Sequence, residues 1–193
     1  MMRFFSIIRK SAICLLFLLS ACASLTLPPE TGTNAPLGEH SYVLSGRIGV
    51  IHNKNSFSGF LTWRHRRNED VVLILSPLGQ GVARIERSNS GVTLETADGK
   101  KWVAASTDVL TRRILGWPLP LEGLHYWVMG QPAPGHVLTR FDHEGHLVHL
   151  EQQGWVVDYT GYRRQGGMML PSSMILTCPE VRVKLIIDRW APA

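Results

Sequence analysis

The chain has 193 residues, of which 45% are hydrophobic and 18% charged, and a formal net charge of +5. That length suits one domain with a sizeable core. The charge overstates the basic character: Arg3, Arg9 and Lys10 all precede residue 22, and the 172 residues from there on carry only +2. Their basic residues are scattered, which argues against a nucleic-acid partner.

Met1 to Lys10 forms a basic head, Ile13 to Leu19 a short apolar run, and Ser20-Ala21-Cys22 follows at once. The run is too short to cross a bilayer and no stop-transfer pattern follows, so this is the order of an export signal. With cysteine directly after the small residues, it resembles a bacterial lipoprotein signal. The resemblance implies cleavage before Cys22, which becomes the first mature residue and carries acyl chains. Each buried methylene contributes about 0.8 kcal/mol, so several chains on Cys22 form a stable anchor. Ala23, in place of an inner-membrane-retaining Asp, resembles the outer-membrane class. Cys14 leaves with the signal and Cys22 is acylated, so Cys178 has no partner for an intrachain disulfide. The chain thus divides into a signal (1–21), a tether (22–41) and a single domain (42–193). Pro28, Pro29, Gly32, Pro36 and Gly38 keep the tether irregular.

From Tyr42 the period is two, the pattern of strands with one greasy face. Leu44, Gly46, Ile48 and Val50 alternate with Ser45, Arg47 and Gly49. Phe57, Gly59, Leu61 and Trp63 alternate with Ser58, Thr62 and Arg64, and Val71 to Leu75 is continuously apolar. His65 and Arg66-Arg67 read as a solvated strand end. Ser76-Pro77-Leu78-Gly79 is a turn with a leucine at its tip, which either folds back on the core or stands exposed. Ala83 and Ile85, then Val92 and Leu94, continue the alternation. Asp98-Gly99 reads as a type I′ hairpin turn, whose central positions both need positive φ.

The period then lengthens. Ser106, Thr107 and Asp108 offer a helix cap, and Val109, Leu110, Ile114 and Leu115 form one apolar face that Gly116 and Pro118 end. A second helix fits Leu121 to Met129. Strands resume at Leu138–Phe141, Leu147–Leu150, Trp155–Thr160, a short Met174–Leu176, and Val181–Asp188. A meander of one-faced strands must curl or be covered. The predicted fold is therefore mainly β: a curved antiparallel sheet or partial barrel with a lid of short helices over its concave side, and periodicity leaves open whether the space beneath is packed solid or hollow.

No phosphate loop, nucleophile elbow or zinc-protease helix is present, and no carboxylate pair is placed by spacing. His143, His146 and His149 resemble a cluster, but residues three apart on a strand point to opposite faces, so no metal site is expected. No catalytic residue and no cofactor beyond the lipid on Cys22 is expected.

Several segments are similar to the LolB family: Ser45–Gly49, Gly59–Trp63, Ser76–Gly79, Thr96–Lys100, Trp117–Gly130, Gly154–Tyr159, Leu170-Pro171 and Val183–Trp190. They occur in the family's order across nearly all of residues 43–190. The resemblance implies a non-enzymatic, monomeric outer-membrane receptor, lipid-anchored and facing the periplasm. It would accept lipoprotein cargo from the periplasmic carrier LolA and pass it to outer-membrane phospholipids. It implies an incomplete antiparallel β-barrel (half-barrel) enclosing a hydrophobic cavity for acyl chains, lined by Ile48, Phe57, Leu61, Trp63, Leu73, Leu75, Ile85, Leu94, Leu110, Ile114, Trp117, Leu124, Trp127, Val128, Trp155, Val157, Val183 and Leu185. It also implies a membrane-insertion loop at Pro77, Leu78 and Gly79, with Leu78 exposed. The family's amphipathic helix before the first strand is missing or reduced here, because residues 23–41 are short and proline-rich. The alternatives are an outer-membrane lipoprotein of the same fold with another envelope-assembly or lipid-binding role, and a periplasmic hydrolase.

Overall fold

The structure, a computed structural model, describes residues 41–193. The signal, Cys22, Ala23 and the tether up to residue 40 lie outside the described residues. In chain order the elements are β1 (Ser41–His52), β2 (Asn55–Arg66), β3 (Glu69–Leu75), β4 (Gly81–Ser88), β5 (Gly91–Thr96) and β6 (Lys101–Ala104). Two helices follow, α1 (Thr107–Leu115) and α2 (Leu121–Trp127). Strands β7 (Leu138–Phe141), β8 (Leu147–Gln152), β9 (Trp155–Gln165), β10 (Met168–Cys178) and β11 (Val181–Ala191) complete them.

All strands join one antiparallel sheet of 11 in the order β6-β5-β4-β3-β2-β1-β11-β10-β9-β8-β7. The first and last strands pair at its centre. Its two edges, β6 and β7, are consecutive in sequence and do not pair with each other, so the half-barrel stays open. The helices are the connection between those edges, and the buried apolar cluster fills the space between them and the sheet. Among the described residues no helix is long and apolar enough to cross a membrane.

Turn chemistry accounts for the hairpins. Gln153-Gly154 (φ 54° and 78°) and Gly166-Gly167 (φ 54° and 85°) are two-residue turns with both positions left-handed, which matches the twist of the flanking strands. Asp98-Gly99 is different. Only Gly99 has positive φ (78°), and its N–H donates to the Thr96 carbonyl in a longer loop, residues 97–100. The sequence signal located the reversal but not its type.

Two other elements depart from expectation. Strand β10 runs from Met168 to Cys178 and is not confined to Met174–Leu176. Register shifts at Pro171/Ser173 and Ser173/Met174 break its alternation; the irregularity accommodates a proline that has no N–H for the ladder. In α1 the buried face is Thr107, Leu110 and Thr111, while Val109 is 61% exposed. Thr111 takes the inner position because its hydroxyl donates to the Thr107 carbonyl (2.9 Å) and accepts from Leu119 N–H (2.9 Å), tying α1 to the segment before α2.

Gly46 sits at a bulge between β1 and β11, where an added Cβ would lie 2.0 Å from the Ile186 carbonyl oxygen. Gly46→Ala is expected to lower stability by about 1–3 kcal/mol. Gly49→Ala, three residues on, places a Cβ in open space and should be neutral or stabilising by up to about 1 kcal/mol. Urea midpoints of the two variants test the contrast.

Candidate functional site

Beneath α2 the concave face holds an apolar recess lined by Ile48, Leu61, Trp63, Val72, Leu119, Pro120, Leu121, Leu124, Trp155, Leu176, Val183 and Leu185. The alternating positions of β1, β2, β3, β9, β10 and β11 form its floor, and Leu119 to Leu124 form its ceiling. Its volume is about 20 Å³, room for about one water-sized group. With the lid in this position, side chains fill the interior.

Seven of the predicted cavity residues line this recess: Ile48, Leu61, Trp63, Leu124, Trp155, Val183 and Leu185. Ile85, Leu94, Leu110, Trp117, Trp127, Val128 and Val157 belong to the surrounding core, with Phe57 and Ile114 half-buried against it. Leu73 and Leu75 are corrections. They alternate with Val72 and Ile74, which face the core, and so lie on the outer face, Leu73 opposite Thr62 and Arg84. A continuous apolar run carries no period to say which residues point inward. Sequence reasoning missed Val72 for the same reason, missed Leu119 and Pro120 because they precede the helical pattern, and left out Leu121 and Leu176 although both fall within predicted elements.

His65 is the larger correction. It is not solvated but 2% exposed, in an inward row of register partners Tyr42, His65, Asp70, Arg87 and Val92 across β1 to β5. Asp70 Oδ1 accepts from Trp63 Nε1 and from His65 Nδ1, each at 2.7 Å. Its Oδ2 accepts from Arg87 Nε at 2.6 Å and Nη2 at 2.5 Å. Burial pushes the Asp70 carboxyl upward, but the His65 hydrogen bond, the charges of Arg87 and His65, and the Trp63 hydrogen bond together hold it below its ordinary value. The lid closes onto this row. The His125 ring of α2 stacks on His65 with centroids 5.0 Å apart and planes 17° from parallel. Its Nδ1–H donates to the Leu121 carbonyl (3.2 Å), and Tyr42 Oη donates to the His125 carbonyl (3.4 Å). Burial is the main cause that lowers the His125 pKa, and the neighbouring His65 charge adds to it.

The lid's far end is pinned separately. The buried Gln152 side chain accepts from Trp127 Nε1 (3.0 Å) and Ala133 N–H (2.9 Å) and donates to the Ala133 carbonyl (2.7 Å). Tyr159 Oη donates to the Trp127 carbonyl (3.0 Å). Arg112 of α1 forms an ion pair with Glu180 in the β10–β11 turn. Parity alone marks His65 as inward, in step with Leu61 and Trp63. Its pairing with Asp70 follows from the short turn between them.

The Ser76–Gly79 loop resolves the ambiguity over its tip. Gly79 N–H donates to the Ser76 carbonyl (2.9 Å), Gly79 has φ 79°, and Leu78 is 86% exposed. On β8 and the turn before it, the histidines do not converge. His149 donates to Asp158 (2.7 Å) and Glu151 (3.2 Å), whose hydrogen bonds raise its pKa, while His146 stacks on Tyr162. Asp142, Glu144 and His146 offer ligand atoms within 4.8 Å of one another. Asp142 Oδ1 also accepts the Glu144 and His146 N–H groups, which shapes the turn.

An unclosed antiparallel sheet under a helical lid, with an apolar interior between them, defines the class of lidded half-barrels. Solved structures of that shape include a LolA-superfamily protein from Nitrosomonas europaea, with TM-score 0.54 at 10% identity over 82% of this chain and 88% of that one. A lipoprotein-sorting protein domain from Vibrio parahaemolyticus gives 0.51 at 9% over 80% and 86%. In sequence, residues 40–190 match the family model described as outer membrane lipoprotein LolB. The outer-membrane lipoprotein LolB of Thiobacillus denitrificans is 35% identical over 91% of this chain and 92% of its own length, and that of Stutzerimonas stutzeri 34% over 93% of each. The chain belongs to the LolB family of outer-membrane lipoproteins, part of the lipoprotein localisation system and not a known enzyme family.

Removing the Asp70 carboxylate strands His65 and Arg87. Asp70→Ala is expected to lower stability by about 3–5 kcal/mol at neutral pH, read by urea unfolding. The His125 effect has its own pH window. Its folded pKa lies below the ordinary 6.5, so the stability it carries is complete above that pH and is lost as pH falls through the depressed value. His125→Phe keeps an aromatic ring and removes the titration. Its stability should decline less than wild type between about pH 7.5 and about pH 5.

Proposed function

We propose that the concave face receives the acyl chains of lipoprotein cargo from the periplasmic carrier LolA, and that the Leu78 loop passes them into the outer membrane. The wholly apolar recess beneath helices that bridge two unpaired sheet edges carries this reading. In the same reading residues 1–21 are removed, Cys22 is acylated, and residues 22–41 tether a monomeric, non-enzymatic domain on the periplasmic side.

A recess of about 20 Å³ does not admit an acyl chain. Loading therefore requires the lid to lift or its inner side chains to swing aside, and α2 is the element over the recess. Exposing one long chain to water would cost on the order of 10 kcal/mol, at about 0.8 kcal/mol per methylene. A chain must then pass from one apolar site to the next without leaving cover. The chain has no nucleotide-binding motif, so transfer runs downhill through differential affinity.

Leu78→Glu is expected to leave acceptance of cargo from loaded LolA at wild-type level and to block release into liposomes. Co-elution of the cargo with this protein measures the first step and cargo recovery in the vesicle fraction the second. Failure of the wild-type protein to take cargo from the carrier would overturn the function, and undiminished delivery by the variant would overturn the role of the loop.

A further inference from the structure

The outer face of the sheet, turned away from the lid, carries a patch that acyl binding does not use. One register row runs Leu75, Phe60, Arg47 and Ile186 across β3, β2, β1 and β11. The next outward row is Ser58, Gly49 and Lys184, and the last is Ser56, Ile51 and Arg182. These rows occupy the end of the sheet where β3 passes into the Leu78 loop. Phe60 is 44% exposed and Ile51 58%. Small residues at Gly49 and Ser58 let the surface sink into a trough of about 310 Å³, walled by Arg47, Phe60, Pro77, Lys184 and Ile186.

The charges around this patch are one-sided. Arg47 donates to both oxygens of Asp188, at 2.8 and 3.0 Å. Lys54, Arg182 and Lys184 have no carboxylate partner among the described residues. The nearby acids are engaged elsewhere: Asp188 with Arg47, Glu180 with Arg112, and Asp158 with His149. Exposed phenylalanine, isoleucine and leucine interleaved with unpaired cations suit the boundary between lipid headgroups and acyl chains, where apolar groups enter and ammonium and guanidinium groups meet phosphate.

We propose that this outer face, continuous with the Leu78 loop, docks the protein on a bilayer surface containing anionic phospholipid. The proposal rests on reading that loop as the delivery tip, and it assigns the two faces different partners: cargo chains inside, lipid headgroups outside.

The test uses the whole mature chain carrying Cys22→Ala, so that no acyl anchor holds it to lipid, and co-sedimentation with phosphatidylcholine vesicles with and without phosphatidylglycerol. The unsubstituted outer face should bind the phosphatidylglycerol vesicles preferentially and lose that preference at high salt. Arg182→Glu with Lys184→Glu should weaken this binding by roughly thirtyfold or more. Gly49→Asp, which sets an acid in the trough at a position where a Cβ stands in open space, should weaken it as well. Acceptance of cargo from loaded LolA should stay at the wild-type level in all of these variants. Vesicle binding that ignores phosphatidylglycerol or survives the charge reversals overturns the proposal, even where Leu78→Glu still blocks delivery. Loss of cargo acceptance in the charge-reversed protein overturns it too, because the cations would then serve the carrier.

Discussion

An open sheet with one greasy face cannot hide that face by itself, and everything else in this molecule answers that constraint. Eleven strands curl far enough to define an inside, but β6 and β7 never meet. The chain between those edges must span the gap, and it does so with two helices of nine and seven residues. Isolated helices shorter than about 12–15 residues are marginal in water. The lid is therefore helical because it is docked: Leu121, Leu124 and Trp127 on apolar floor, His125 on His65, Gln152 and Tyr159 on the end of α2. In the lipid-transfer reading the lid is the element that opens, and active-site lids are drawn from the low-stability end of a structure.

The buried polar row matters for where the lid sits. Hydrophobic contact is non-directional and would let a short helix slide. Asp70, saturated by three side chains, fixes His65 in orientation, and the near-parallel stacking of His125 then sets the register of α2 over the sheet. The row also bounds the apolar space. It crosses the sheet near the Ser41 end, while Ile48, Leu61 and Val183 of the recess lie toward the end bearing the Leu78 loop. On the β1 and β2 side the apolar surface continues away from that row, through Val50 and Phe57.

Alternation made most of the sheet legible, because burying one face of a strand imposes a period of two. The apolar positions Val181, Val183, Leu185 and Ile187 all proved inward. Legibility failed where that period was absent or overridden. Val71 to Leu75 is apolar on both faces, so Leu73 and Leu75 could not be told from Val72 and Ile74. Strand β10 loses step at Pro171. His65 kept the period of Leu61 and Trp63, yet its residue type suggested solvent; only the partner across the turn, Asp70, makes its burial affordable. The exposure of Leu78 is set by the loop's tertiary placement and could not be read from the turn residues. The smallness of the recess is a matter of side-chain volumes against lid position, which no pattern encodes.

That smallness bears on how, in the proposed reading, the concave face can both load and empty. A preformed void able to hold a drug-sized or fatty ligand, about 300 Å³ at the least, would cost roughly 7 kcal/mol if left unfilled, at about 24 cal/mol per Å³. This protein avoids the cost by letting its own side chains fill the space. In the lipid-transfer reading the closed lid is then a competitor of the cargo. Apparent affinity is reduced in proportion to the fraction of open molecules, and discharge leaves behind a packed interior instead of a hole. The marginal helices and the strongly fixed polar row serve the same end. In that reading the lid opens at modest cost, and on closing it returns to one position.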